Sequence, residues 1–266
     1  MLDQRRPKKR LNLRKTLFVL PSLITLSSVF CGFDAIRIAS SATQAEDFYR
    51  AAVLIVFAMF FDMLDGRVAR MTRTQSAFGL QLDSLADVVS FGVAPAVLMY
   101  NWSLKQMPTL GLAISFLFVA AGAVRLARFN VLSMAEEGEP KKCSKYFLGL
   151  PIPAAAGVVV ALVIASQSGK FDAASHVWPM TAVTLGLGIL MISNVRFRTF
   201  KQVRLDVPTV LLLTFVVGSS VAVGLQMGGA FVLFWMAIVY VSMGLIESAV
   251  GLPRRLRESS KSIPPT

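Results

Sequence analysis

Histidine and cysteine are nearly absent from this chain: its 266 residues include one His and two Cys. Two thiols are too few for a four-ligand structural zinc site. Acidic charge is scarce as well, with 15 Asp/Glu against 27 Lys/Arg. Neither a Gly-rich dinucleotide fingerprint nor a P-loop is present, and no internal repeat is visible. Apolar sequence is what the chain has in quantity. A hydrophobic share of 55% and a mean hydropathy of +0.64 place it among integral membrane proteins. The apolar runs recur throughout, so the expected fold is all-α, a polytopic transmembrane helix bundle rather than a soluble domain with an anchor.

Eight spans fit those runs: 17–38, 48–69, 83–102, 109–129, 151–168, 177–193, 207–225 and 229–250. Residues 1–16 precede them as a basic cytoplasmic arm, or an interfacial helix lying against anionic headgroups. A signal peptide is the competing reading there. The apolar run that follows is too long for one, and it lacks a small-residue cleavage site. Residues 17–250 form the transmembrane bundle, and 251–266 a solvated cytoplasmic tail.

A net charge of +12 and a pI near 10.2 would suit a nucleic-acid partner, but the distribution argues otherwise. With the N-terminus in the cytoplasm, every Lys and Arg except Arg37, Arg50, Lys105 and Lys170 falls in inner loops, arms or helix ends. That is the positive-inside pattern of a cytoplasmic membrane protein, and no nucleic acid is expected. The same orientation puts Cys31 and Cys143 on opposite sides, so no disulfide joins them. It also puts His176 in an outer loop, which excludes a Ser-His-Asp triad at the cytoplasmic face.

The chemistry concentrates in residues 62–87, DMLDGRVARMTRTQSAFGLQLDSLAD. Asp62 and Asp65 are three apart and Asp83 and Asp87 four apart, so each pair shares one face of a helix. One pair ends an apolar run and the other opens the next. Two antiparallel helices joined by a short link would therefore gather four carboxylates near one membrane surface. A lone intramembrane Asp paired with an Arg would need no further meaning. Four together must take up protons or bind cations. All-oxygen ligation suits Mg²⁺, Mn²⁺ or Ca²⁺, and Gly66, Ala69 and Gly79 clear side chains where a bulky ligand meets backbone.

Asp62, Asp65, Gly66, Ala69, Arg70, Gly79, Asp83 and Asp87 match, without a gap, the pattern D-x2-D-G-x2-A-R-x8-G-x3-D-x3-D. In this the chain resembles the CDP-alcohol phosphotransferase family. DSLADVVSFGVAPA at 83–96, VRLARFN at 124–130 and FLGLPIPAAA at 147–156 resemble its phosphatidylserine synthase branch. LPSLITLSSVFCGF at 20–33 is similar to that branch's first helix, although Ser22 stands where Asn more often follows the proline. The resemblance covers most of 17–160; the family core is taken as about 17–193, with 207–250 as additional spans.

The resemblance implies transfer of phosphatidyl from CDP-diacylglycerol to L-serine, releasing CMP. It implies two divalent cations, Mg²⁺ or Mn²⁺, with Asp62, Asp65 and Asp83 as main ligands. Asp87 is then the base for the attacking alcohol, and it can also touch a metal. It implies nucleotide contacts at Asp62, Gly66, Ala69, Arg70, Gly79 and Asp83. As substrate-binding residues Arg125, Arg128 and Ser90 are candidates, the two arginines for the anionic groups of the lipid donor or of serine, with snorkelling to lipid headgroups as their competing role. Gly218, Ser219 and Ser220 would allow close helix packing, including that of a homodimer. Two other readings stand beside this one. Phosphatidylglycerophosphate or phosphatidylinositol phosphate synthases would share every metal residue, and a divalent-cation transporter would use the carboxylates for permeation. A transporter site, however, usually lies near the midplane between repeats.

Overall fold

The computed structural model describes residues 13–72, 74, 76–135, 146–167, 175–198, 218–220, 223–226, 228–229 and 231–244. Most of the basic arm and its interfacial helix, the loop 136–145 with Cys143, most of span 207–225 and the tail 251–266 lie outside the described residues.

Helix α1 (Leu13–Ser41) and helix α2 (Ala45–Thr72) form an antiparallel hairpin. Its turn is set by Asp47, whose Oδ2 accepts the backbone N–H groups of Thr43 and Gln44 at 3.1 and 3.2 Å. Ala35, Ala39, Ala51, Ala52 and Ala58 are buried on the two helices, and small side chains let helix backbones approach closely in a membrane.

The third span is composite: α3 (Ala77–Asp87), a π-helical turn (Val88–Val93) and α4 (Ala94–Trp102). It starts at Ala77 rather than at 83, because Ser76 caps it. The Ser76 Oγ accepts the Gly79 N–H at 3.0 Å, and a capped first turn with polar residues is invisible to a hydropathy reading. The widened turn has a local cause. Pro95 lacks an N–H, so the Phe91 carbonyl cannot receive its usual helical bond. The Ala94 N–H bonds instead to Val89 O, the five-residue spacing of a π-turn.

Helices α5 (Pro108–Ala135), α6 (Ile152–Ser166) and α7 (Val177–Ile192) surround this hairpin and third span, and α8 (Phe231–Gly244) packs on them. The result is the all-α membrane bundle the sequence implies. Leu20–Ser41, Ala77–Trp102 and Pro108–Leu132 are long and apolar enough to cross a bilayer unaided. Helix α2 matches them in length but ends in Asp62, Asp65, Arg67 and Arg70.

One departure from pure helix is a two-stranded antiparallel ribbon of β1 (Tyr146–Leu148) and β2 (Arg196–Arg198), with Phe147 opposite Phe197. It ties the start of α6 to the end of α7. Gly149 turns the chain out of it at φ +78°, where a Cβ would collide with the Met191 carbonyl, so only glycine serves.

Candidate active site

Asp62 comes from the last turns of α2, and Asp83 and Asp87 come from successive turns of α3. Each of the three offers a carboxylate oxygen, and these atoms all lie within 4.8 Å of one another. The α3 spacing of four residues turns both its carboxylates towards α2, and the antiparallel approach brings Asp62 to meet them.

Asp65 stands outside this trio. It is buried at 5% exposure, and its Oδ2 accepts a hydrogen bond from Thr25 Oγ1 of α1 at 2.6 Å. It remains close enough to interact electrostatically with Asp62 and Asp83. Spacing along the chain predicts that four carboxylates converge. The structure brings three together and hands the fourth to α1.

The trio fits a divalent cation. Its donors are all carboxylate oxygens, the set that hard cations prefer. Among the described residues, Asp87 Oδ1 is buried without a hydrogen-bond partner. An ionised oxygen left so is costly unless something positive faces it.

The small residues of the motif lie on the same two helices as this cluster. A Cβ on Gly66 would come within 3.5 Å of the Arg70 guanidinium, which folds back over it one turn later. Ala69 is half-buried, and its carbonyl accepts the Thr74 N–H at 3.1 Å, closing the end of α2. Gly79 lies in the first turn of α3 beside the Ser76 cap.

The three substrate-binding candidates occupy different settings. Arg125 of α5 is buried, lies close enough to Asp87 for their charges to interact, and has its Cζ 5.8 Å from the Phe129 ring centroid. Arg128, one turn on, donates to Ile192 O at 3.3 Å and to Asn194 Oδ1 at 2.9 Å, so it braces α5 against the end of α7. Ser90 is fully buried in the π-turn. Its Oγ donates to Ser28 O at 3.1 Å and receives the Ser28 hydroxyl at 3.4 Å. Of the three, Arg125 alone is tied to the carboxylate cluster.

Residues 18–190 match the model of the CDP-alcohol phosphatidyltransferase family. The chain belongs to that family. Its relatives include the CDP-diacylglycerol--serine O-phosphatidyltransferase of Helicobacter pylori (strain J99), 41% identical over 196 residues, 74% of this chain and 78% of that protein. Proteins of the same name in Methanocaldococcus jannaschii and Mycobacterium tuberculosis (strain H37Rv) are 34% and 32% identical. They match over 71% and 76% of this chain, and over 78% and 68% of their own lengths. As a CDP-alcohol phosphatidyltransferase, the chain is an integral membrane transferase of phospholipid synthesis, and its Asp62–Asp83–Asp87 cluster can hold the divalent cation on which the family depends.

Two further residues at this site are not legible as such in the sequence. Thr25 carried a weak signal, a hydroxyl residue one turn after Pro21 in the first apolar run. Asn130 of α5 carried none as a partner: its Nδ2 donates to Ser84 Oγ at 2.9 Å, joining α5 to the helix that bears Asp83 and Asp87.

Proposed function

We infer that this CDP-alcohol phosphatidyltransferase moves the phosphatidyl group of CDP-diacylglycerol to L-serine, giving phosphatidylserine and CMP. The observation that carries the reading is the meeting of Asp62, Asp83 and Asp87 between two helices, in a chain whose bacterial and archaeal relatives bear that activity's name. Asp62, Asp65 and Asp83, with Asp87 beside them, would hold two divalent cations, Mg²⁺ or Mn²⁺. Bound there, such ions neutralise pyrophosphate charge and favour departure of CMP.

Gly66, Ala69 and Gly79 leave room for the cytidine nucleotide, and Arg70 pairs with its phosphate. Asp87 takes the proton of the serine hydroxyl as that oxygen bonds to the phosphatidyl phosphorus and the phosphorus–oxygen bond to CMP breaks. No side chain forms a covalent intermediate. Arg125, beside Asp87, receives the serine carboxylate. Arg128 is engaged at the end of α7 and Ser90 is engaged by α1, so both act through the scaffold.

The bundle 17–250 is one catalytic unit in the cytoplasmic membrane, with this end of it facing the cytoplasm. The charge distribution supports that orientation. The protein works as a homodimer packed through the small residues at 218–220. Among the described residues a Cβ on Gly218 would meet nothing within 4 Å, while Ser219 Oγ accepts from Trp235 Nε1 at 2.9 Å inside the chain.

CMP release by the purified protein tests the acceptor. With CDP-diacylglycerol and Mg²⁺ or Mn²⁺, L-serine should support release, while glycerol 3-phosphate and inositol 1-phosphate should not. Release with either phosphate and none with serine would keep the family and reject the serine reading.

A further inference from the structure

Helix α3 carries two of the three clustered carboxylates, yet apolar packing does little to orient it. Of its eleven residues only Ala86 is buried, while Phe78 and Leu85 are 71% and 67% exposed. Lipid accepts any apolar face, so such side chains do not fix the rotation of a helix in a bilayer. Charge works against the observed rotation. Asp83 and Asp87 meet Asp62 with carboxylate oxygens within 4.8 Å of one another, and like charges so placed repel until a cation or a proton arrives. A directional contact must therefore hold this face of α3 towards α2 before any cation binds.

Asn130 of α5 supplies one. Its Nδ2 donates to Ser84 Oγ at 2.9 Å, and the same hydroxyl donates to Leu80 O at 3.1 Å, so Ser84 is bonded both as acceptor and as donor. Ser84 follows Asp83 directly and precedes Asp87 by three residues, which places them about 100° and about 60° from it around the helix. A grip there sets the direction of both carboxylates. The end of α5 is itself anchored: two residues before Asn130, Arg128 bonds to Ile192 O and Asn194 Oδ1. The grip thus runs from the end of α7 through α5 to α3. A neutral amide makes it without bringing another charge to the cluster.

We propose that Asn130 is a positioning residue for the carboxylate cluster, its hydrogen bond to Ser84 turning Asp83 and Asp87 towards Asp62 so that a divalent cation finds its ligands already in place. The proposal rests on the cation reading above and deepens it by assigning the residue that orders the ligands.

The test reads Mn²⁺ binding to the purified protein in detergent, without substrates, from the electron paramagnetic resonance signal of the free ion. The cluster's share is the part lost in Asp83→Asn. Ser84→Ala, Asn130→Ala and the double variant are compared with wild type and with Ser84→Thr, which keeps the hydroxyl. Each single variant should raise the Mn²⁺ Kd about three- to tenfold, as expected for one lost neutral hydrogen bond. The double variant should bind no more weakly than the weaker single one, because the same bond is lost in all three. Ser84→Thr should bind like wild type.

Unchanged Mn²⁺ affinity in Ser84→Ala overturns the proposal, and a lowered thermal midpoint beside it would assign the bond to packing. Effects that multiply in the double variant overturn it too, because the two residues then act separately. So does a Ser84→Thr protein as weak as Ser84→Ala, since the hydroxyl is then not what matters. If Asn130→Ala does not fold, Ser84→Ala against Ser84→Thr decides alone. A wild type whose Mn²⁺ binding does not respond to Asp83→Asn rejects the cation reading and this inference together. A responsive wild type matched by Ser84→Ala rejects this inference alone.

Discussion

Asp65 and Asp87 show how one residue type can be set to different tasks by its neighbours. Asp65 is held at 2.6 Å by Thr25, forty positions away in sequence, which fixes one of its oxygens. Asp87 has a buried oxygen with no hydrogen-bond partner among the described residues, open to a proton or a cation. The two sites should therefore answer differently to substitution. Thr25→Val removes a hydrogen bond to a charged group, a loss of about 1.5–3 kcal/mol. It should raise the Mg²⁺ concentration needed for half-maximal CMP release, and Thr25→Ser should restore it. Asp87→Asn should keep CDP-diacylglycerol binding but lower turnover by about 10²–10⁴-fold, the range for a lost general base. A Thr25→Val enzyme with unchanged Mg²⁺ dependence would show that the hydrogen bond is incidental, and an active Asp87→Asn enzyme would remove Asp87 from the base role.

Among the elements, the π-turn decides the most. It sits directly after Asp87 and is gripped by α1 through the paired hydroxyls of Ser28 and Ser90. Gly32 makes that grip possible. A Cβ there would lie 2.8 Å from the Ser90 Cα and 2.8 Å from its Oγ, and backbone cannot move aside as a flexible side chain would. Gly32→Ala should cost about 1–3 kcal/mol, the usual range for overpacking, and should be seen as a lowered thermal midpoint in detergent. Since the displaced turn carries the end of α3, turnover should fall with it. A variant that melts like wild type would mean that α1 and the third span are not in tight contact at this point.

On the scale of the whole molecule, the basic residues and the carboxylate cluster should share one side of the membrane. Cys31 is buried in α1, and Cys143 is the only other thiol, so the native chain carries a built-in probe. A membrane-impermeant maleimide should label Cys143 in inverted vesicles and leave it untouched in right-side-out ones. Labelling confined to right-side-out vesicles would invert the topology and move the site to the outer face.

The bundle, the helical pairing of the aspartates and the family are legible along the chain, because each depends on local spacing. Apolar runs report burial in lipid. A four-residue interval reports a shared helix face, and an uninterrupted pattern from Asp62 to Asp87 reports the family's chemistry by resemblance. What the sequence does not carry is every relation between residues far apart in the chain. That Asp65 turns to Thr25 while three other carboxylates meet, that Arg128 bonds to the end of α7 and that Ser90 bonds to α1 all depend on how helices pack. Nor does hydropathy register the Ser76 cap that starts α3 early, or the ribbon between residues 146–148 and 196–198. Packing in a bilayer is set by small side chains, hydrogen bonds and helix phase rather than by apolarity, which lipid and protein share. Those terms exist only once the helices are in contact, and so only the tertiary structure decided them.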